Sequence, residues 1–133
     1  MANNEEDRWR QRLEHFERAY AQLDRACAQS SYSELELAGL VKMFEFTFEL
    51  AWKTLKDLLF YEGYEVNSPR EILRQAFEIG MVQEIDLWLE TLGSRNRLTH
   101  TYDEQAAKAA ASLIKSTYLP MIRHLLETLR KRT

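Results

Sequence analysis

The helical spacing of its apolar residues constrains this chain more than any other feature. The 133-residue sequence contains only four glycines and two prolines, so it offers few places to turn. Apolar residues recur at steps of three or four almost throughout, which is the period of an α-helix rather than of a strand. A chain of this length forms one domain by the usual size relation. The pattern therefore predicts an all-α fold in a single domain, residues 1–133, as an up-and-down helical bundle of about five helices.

Long apolar stripes predict the first two helices. The stripe of the first helix is Trp9, Leu13, Phe16, Tyr20, Leu23 and Cys27. The segment "QSSYSE" contains residues that favour turns and caps, and it separates this helix from a second one predicted from about Glu34 to Tyr61. The stripe of the second helix is Leu37, Val41, Phe44, Phe48, Trp52, Leu55 and Leu59.

The second helix also carries an offset apolar stripe, made of Met43, Phe46 and Leu50. A helix that is apolar over so much of its circumference must bury two sides. The second side is expected to meet another copy of the chain in a homodimer. The alternative is a central helix covered by neighbouring helices of its own chain.

The third helix has a strong start signal in "SPRE". Ser68 suits the N-cap position, Pro69 the first helical position, and Glu71 completes the spacing of a capping box. This short helix is expected to end at Gly80.

The last two predicted helices flank a polar segment. The fourth is expected to begin near Val82, and its continuation through Gly93 is left open because a glycine inside a helix costs about 1 kcal/mol. The last helix is expected to start at "TYDE", where Thr101 and Glu104 have capping-box spacing. Pro120 removes a backbone donor and is expected to kink or split this helix.

Composition narrows the function classes. The net charge of −3 argues against a broad nucleic-acid surface but leaves room for a local basic patch. Cys27 is the single cysteine, which excludes an internal disulfide and argues against a cysteine-based zinc site. His15 and His124 lack acidic or cysteine partners at metal-ligand spacing, so neither a metal nor a cofactor is expected. The charged N-terminus and the lack of a membrane-length apolar run predict a soluble, cytoplasmic protein that does not bind membranes.

The segment "GSRNRLTHTYDE", residues 93–104, differs from the bundle sequence around it. If the fourth helix continues through this segment, Arg95 and Thr99 lie one turn apart, as do Asn96 and His100. The resulting ridge presents a guanidinium, an amide and an imidazole, followed by the phenol of Tyr102.

These side chains match the needs of metal-free RNA cleavage. Such cleavage takes a base for the 2′-hydroxyl proton, an acid for the leaving oxygen and a cation for the charged phosphate. Arginine binds phosphate with a planar fork, and histidine titrates near neutral pH. One histidine per chain is few for both acid and base, and a symmetric dimer would bring two copies of the ridge together.

A structural role for the same residues remains open. A single histidine near a helix end is often structural, so His100 need not be catalytic. Arg95 and Arg97 could instead be surface residues that pair with Glu90 or Asp103.

The motif "RNRLTHTY" fits the arginine-x4-histidine-x-tyrosine pattern of the HEPN superfamily. The stretches "SPREILRQAFEIGMV" and "WLETLGSRNRLTHTYDE" resemble one subgroup of it, the nucleotidyltransferase substrate-binding proteins, also called HepT-type partners of minimal nucleotidyltransferases. The resemblance implies an all-helical bundle, a homodimer with the motif facing its symmetry mate, and a separately encoded minimal nucleotidyltransferase as partner. The chain lacks that partner's glycine–serine and paired-aspartate site, so it is not expected to transfer nucleotides itself.

The resemblance also implies roles for individual residues. In related pairs the HEPN chain is a toxin with metal-independent ribonuclease activity, and the nucleotidyltransferase is its antitoxin. By this analogy Arg95, Asn96 and His100 are the catalytic candidates, and Tyr102 is the possible acceptor of AMP. Arg97 and Thr99 are further candidates for substrate binding. The alternative that the family also allows is a noncatalytic substrate-binding or scaffold subunit without ribonuclease activity.

Overall fold

The computed structural model describes the backbone of residues 4–98 and 103–133, and within these ranges the side chains of all residues except 96–98. Its elements in chain order are α1 (Asn4–Cys27), α2 (Glu34–Tyr61), α3 (Pro69–Glu78), α4 (Ile85–Leu98), α5 (Glu104–Leu113), a π-helical turn (Ile114–Tyr118) and α6 (Leu119–Arg132). The segment from α5 to α6 is one uninterrupted helical rod, so the chain forms five rods. The predicted all-α, up-and-down bundle is confirmed. Within the described part of the chain, no helix is both long enough and apolar enough to cross a bilayer.

Helices α1 and α2 form a long antiparallel hairpin, and their predicted stripes are its core. All the predicted α1 stripe residues before Cys27 are buried, and so are all those of α2 except Trp52, which is partly buried. Cys27 lies half-buried at the end of α1, and burial raises the pKa of its thiol. This raised pKa keeps the thiol protonated and weakly nucleophilic near neutral pH.

Side-chain caps define the start of α2. The Ser33 hydroxyl accepts a hydrogen bond from the Glu36 backbone N–H at 3.1 Å, and the Glu36 carboxylate accepts one from the Ser33 N–H at 2.9 Å. This reciprocal pair satisfies two backbone donors that the first turn leaves open. The hydrogen bond from the Ser33 backbone is also the largest of the causes that lower the pKa of Glu36. At the other end Gly63 adopts φ +97°, which lets the backbone wrap back over the last turn of α2.

The second side of α2 is not covered within the described part of the chain. Leu50 is buried, but Phe46 is 62% exposed and Met43 is 38% exposed. Leu35, close to the start of the same helix, is 83% exposed. Packing among the described residues therefore does not supply the second burial partner that the sequence pattern predicts.

One predicted helix start is wrong. The fourth helix begins at Ile85 rather than near Val82, because the N–H groups of Met81 and Val82 both donate to the Ala76 carbonyl and close the end of α3. The last helix begins at Glu104, within the predicted "TYDE", and the predicted Thr101 cap lies outside the described residues. Its N-cap is Asp103, whose carboxylate accepts the Ala106 N–H at 2.6 Å.

The other predicted caps and breaks agree with the structure more closely. Ser68 caps α3 by accepting the Glu71 N–H at 3.2 Å, and Pro69 is the first helical residue. The third helix ends two residues before Gly80, which adopts φ +84°. Pro120 does not split the rod as predicted, because the helix changes to a π-helical turn just before it and continues.

Replacing Ser33 by alanine is expected to lower the free energy of unfolding by about 1 kcal/mol, because the α2 cap is lost. Chemical denaturation followed by circular dichroism measures this change. Ser30→Ala, at an exposed position before the cap, is the control and should leave stability within about 0.5 kcal/mol of the parent. Equal stability of the two variants would contradict the assigned cap.

Candidate functional site

Helix α4 continues through Gly93 to Leu98 and so carries the first part of the candidate motif. Gly93 is exposed, and a Cβ added there would meet no atom within 4 Å. The helical geometry assumed for the ridge is therefore present at its first members, Arg95 and Asn96.

Aromatic stacking fixes α4 against the centre of the bundle. Trp88 on α4 is fully buried and stacks on Phe48 of α2, with ring centroids 5.5 Å apart. The ring centroids of Phe48 and Phe44 are 5.9 Å apart. Phe44 in turn stacks on Tyr118 of the π-helical turn, with ring centroids 5.0 Å apart. This aromatic ladder, Trp88–Phe48–Phe44–Tyr118, joins α4, α2 and the last helical rod.

A polar contact closes the ladder beside the motif. The Ser94 hydroxyl lies 3.4 Å from the Tyr118 hydroxyl and 3.3 Å from the Thr91 carbonyl oxygen. Thr91 is itself buried, and its hydroxyl donates to the Leu87 carbonyl at 2.7 Å. Ser94 is thus held by contacts with α4 itself and with the π-helical turn, and these contacts fix the backbone position of the next residue, Arg95.

Arg95 lies at the edge of the core and points toward α2. Its guanidinium forms an ion pair with Glu49, with 3.7 Å between Nη1 and Oε2, and 33% of its side chain is exposed. Glu49 also contacts the Lys53 ammonium at 3.4 Å. The alternative pairing of Arg95 with Glu90 or Asp103 is therefore wrong, because the packing of α4 against α2 brings it to Glu49 instead. The guanidinium keeps donors free on its exposed side, since one carboxylate oxygen cannot occupy all five.

The other predicted site residues are less fully described. Asn96 and Arg97 lie on the last turn of α4, and their side chains fall outside the described residues. Thr99, His100 and Tyr102 also lie outside the described residues. Their roles remain predictions from the sequence.

Sequence reasoning missed Glu49, Ser94 and Tyr118 as neighbours of the motif. Glu49 lies far before Arg95 in the chain, and no local spacing connects the two. Tyr118 had one usable signal, a tyrosine shortly before Pro120, where a helix break re-aims side chains.

The two other histidines, His15 and His124, lie far from the motif in sequence. His15 is exposed on α1, and His124 on α6 lies 2.8 Å from the Glu84 carboxylate. Across residues 4–98 and 103–133, no group of three or more histidine, cysteine, aspartate and glutamate side chains could hold a metal ion.

Comparison with known proteins defines the class of this chain. The family model of nucleotidyltransferase substrate binding protein-like sequences matches residues 11–131, so the chain belongs to that family. A relative from Haemophilus influenzae (strain Rd), named probable ribonuclease HepT, is 32% identical over 101 residues, which cover 72% of this chain and 68% of the relative.

Solved structures share the fold. A protein from Thermus thermophilus is 32% identical, with a TM-score of 0.72 over 88% of this chain and 97% of its own. A second protein, from Haemophilus influenzae, is 27% identical, with a TM-score of 0.77 over 89% of this chain and 98% of its own. That second protein is described as having the fold of a substrate binding domain of a nucleotidyltransferase.

Gly93→Ala is expected to raise the free energy of unfolding by about 1 kcal/mol, because alanine is the better helix former and the site is open. Gly63→Ala is the matched contrast and should destabilise, because Gly63 adopts a positive φ that alanine disfavours. Thermal and denaturant unfolding of both variants measure the two changes. A loss of stability in both would contradict a helix that continues into the motif.

Proposed function

We propose that this chain is the HEPN-type partner subunit of a separately encoded minimal nucleotidyltransferase and acts as a metal-independent endoribonuclease. In this proposal it is the toxin of a two-component toxin–antitoxin pair, and the nucleotidyltransferase is the antitoxin. The observation that carries the proposal is the placement of Arg95, a partly exposed cation held beside α2 at the start of an intact Arg95–Asn96–His100–Tyr102 set. The HepT relative, named a probable ribonuclease, supports the activity. The structural relative that is described as a nucleotidyltransferase substrate binding domain supports the partner.

The chemistry follows from the side chains of the motif. His100 takes the proton of a ribose 2′-hydroxyl or donates one to the leaving 5′-oxygen. Arg95 stabilises the negative charge that builds on the phosphate oxygens during attack. Asn96 orients the site, and Arg97 and Thr99 contribute to holding the strand.

The missing second acid or base is supplied by a second copy of the chain. The exposed apolar residues Leu35, Met43 and Phe46 lie on α2, and Phe46 is one helical turn before Glu49, the partner of Arg95. A two-fold contact centred on Phe46 buries this surface. It also brings two copies of the Arg95–Glu49 pair to the same interface.

Tyr102 is the point of control in this proposal. Transfer of AMP from ATP to its phenolic oxygen, with pyrophosphate as the leaving group, would place a bulky anion close to His100 in the chain. The added phosphate would repel the RNA backbone and compete for Arg95. Modification by the partner thereby silences the nuclease without unfolding it.

A noncatalytic substrate-binding subunit is the second candidate. The structural relative described as a nucleotidyltransferase substrate binding domain favours it, as does the net negative charge of the chain. This candidate predicts a stable complex with the transferase and no cleavage of RNA by the purified chain.

His100→Ala is expected to reduce RNA cleavage at least about 100-fold, because the general acid or base is removed. The assay uses tRNA and total RNA with EDTA present, after mass spectrometry has confirmed that Tyr102 carries no nucleotide. His15→Ala, at an exposed histidine on α1, is the matched control and should cleave like the parent. Undiminished cleavage by His100→Ala would refute the assigned site, and an inert parent protein would support the noncatalytic candidate.

Phe46→Asp is expected to convert a homodimer to a monomer, because it places a charge in the centre of the exposed α2 surface. Light scattering coupled to size-exclusion chromatography measures the mass. Phe77→Asp, at a phenylalanine on α3 that is also partly exposed, should leave the dimer intact. A parent protein that is monomeric at micromolar concentration would refute the dimer.

A further inference from the structure

A cleft runs between the first half of α1 and the second half of α2, at the edge of the hairpin. It consists of two adjoining depressions with volumes of about 320 and 360 Å³. Four cationic side chains line it, which are Arg8, Arg12, Lys53 and Lys56, together with the carboxylates of Asp57 and Glu65. In a protein with a net charge of −3, this concave region therefore carries an excess of positive over negative side chains.

Much of this positive charge is available to a ligand. Arg12 is neutralised locally, because its Nε lies 3.0 Å from a carboxylate oxygen of Asp57, which is largely buried. Arg8 and Lys56 are exposed, and neither forms an ion pair within the described part of the chain. Lys53 shares Glu49 with Arg95 and keeps 39% of its side chain exposed.

Two aromatic rings flank the lysines of α2 along the cleft. Phe60 is 46% exposed and lines one depression, and the partly buried Trp52 lines the other. The Lys53 ammonium lies over the Trp52 ring, 5.8 Å from its centroid. Cations that contact phosphates, interleaved with rings on which bases stack, are the combination by which proteins hold single-stranded nucleic acid.

A line of side chains on α2 connects the cleft to Glu49, the ion-pair partner of Arg95. Glu49, Lys53, Lys56 and Phe60 follow one another at steps of four, three and four, so they form one line along α2. This line extends about 16 Å, since each helical residue rises about 1.5 Å. It begins at the carboxylate that contacts Arg95 and ends at the exposed ring of Phe60.

We propose that the α1–α2 cleft binds a single strand of RNA and guides it to Arg95. Arg8, Lys53 and Lys56 contact its phosphates, and Phe60 and Trp52 stack against its bases. The inference rests on the proposed function, because it assigns a substrate path to the same site. Glu49, at the end of the line nearest Arg95, opposes the phosphate charge along this path. An acidic protein surface would satisfy the cations, but it would make no use of the exposed ring of Phe60 at the other end of the line.

The test measures RNA binding separately from cleavage. All variants are made in a His100→Ala background with EDTA present, and fluorescence anisotropy follows a labelled single-stranded RNA of about 12 nucleotides, within the usual range of site sizes. Arg8→Ala with Lys56→Ala is expected to weaken binding at least about tenfold. Loss of two phosphate contacts should also reduce the slope of log K against log salt by about 1.4.

Matched variants make the result specific to the cleft. Arg25→Ala with Arg74→Ala removes the same charge from exposed positions outside the cleft, and should change affinity less than about twofold. Phe60→Ala should weaken binding at least about fivefold by removing a stacking surface. Glu49→Gln should strengthen binding several-fold, since it removes a carboxylate from the path.

Several results would overturn the cleft assignment. The first is an equal loss of RNA affinity in both double variants, and the second is no RNA binding by the parent protein. The third is that AMP displaces the labelled RNA as effectively as unlabelled RNA does. Retained RNA binding with loss of co-elution of the nucleotidyltransferase in Arg8→Ala/Lys56→Ala would identify the cleft as a protein interface instead. Failure of the proposed nuclease is separate, because an inert protein with intact His100 can still show the cleft-dependent binding.

Discussion

The aromatic ladder Trp88–Phe48–Phe44–Tyr118 is the contact on which the arrangement of the site depends. It ties α4 to α2 and α2 to the last helical rod through buried rings 5.0 to 5.9 Å apart. Rings of this size contribute both buried apolar area and directional stacking. The Ser94–Tyr118 contact then returns from the end of the ladder to α4, one residue before Arg95. The position of Arg95, the first residue of the motif, is thereby set by contacts in the core.

The π-helical turn has a specific part in this arrangement. Pro120 cannot donate a backbone hydrogen bond, and the wider turn before it accommodates that missing donor without ending the rod. The same turn places Tyr118 in the core, where it meets both Phe44 and Ser94. A regular α-helix through residues 114–118 would rotate Tyr118 relative to both partners.

Glu49 lies between the two proposed functional surfaces of the molecule. Its carboxylate contacts Arg95 on one side and Lys53 on the other. The exposed face around Phe46 begins one turn earlier, and the basic cleft begins one turn later. Three features of α2 therefore follow in order along one helix: a proposed dimer surface, a catalytic neighbour and a proposed strand path.

The sequence predicted what local periodicity and caps determine. The bounds of α2 and the N-cap of α3 follow from apolar spacing and from Ser68, while the buried aromatic residues of both α1 and α2 appear in the predicted stripes. The start of α4 was predicted too early. Met81 and Val82 are residue types common in helices, but their N–H groups donate to the Ala76 carbonyl at the end of α3.

Contacts between distant parts of the chain could not be read in the same way. The Arg95–Glu49 pair joins residues far apart in sequence, and Arg8 lines the same cleft as Lys56 only once the two helices are packed. Taken one at a time, each of these residues is an ordinary charged residue on the solvent side of a helix. The line of Lys53, Lys56 and Phe60 was present in the sequence, but nothing local distinguishes it from a solvated surface.

The central claim is that the Arg95–His100 motif cleaves RNA by attack of the ribose 2′-hydroxyl. Its most direct test compares one RNA strand with a version whose riboses all carry 2′-O-methyl groups, using the unmodified protein in EDTA. Attack by the 2′-hydroxyl requires cleavage of the native strand with 2′,3′-cyclic phosphate ends and no cleavage of the methylated strand. Cleavage of both strands, or of neither, would contradict it.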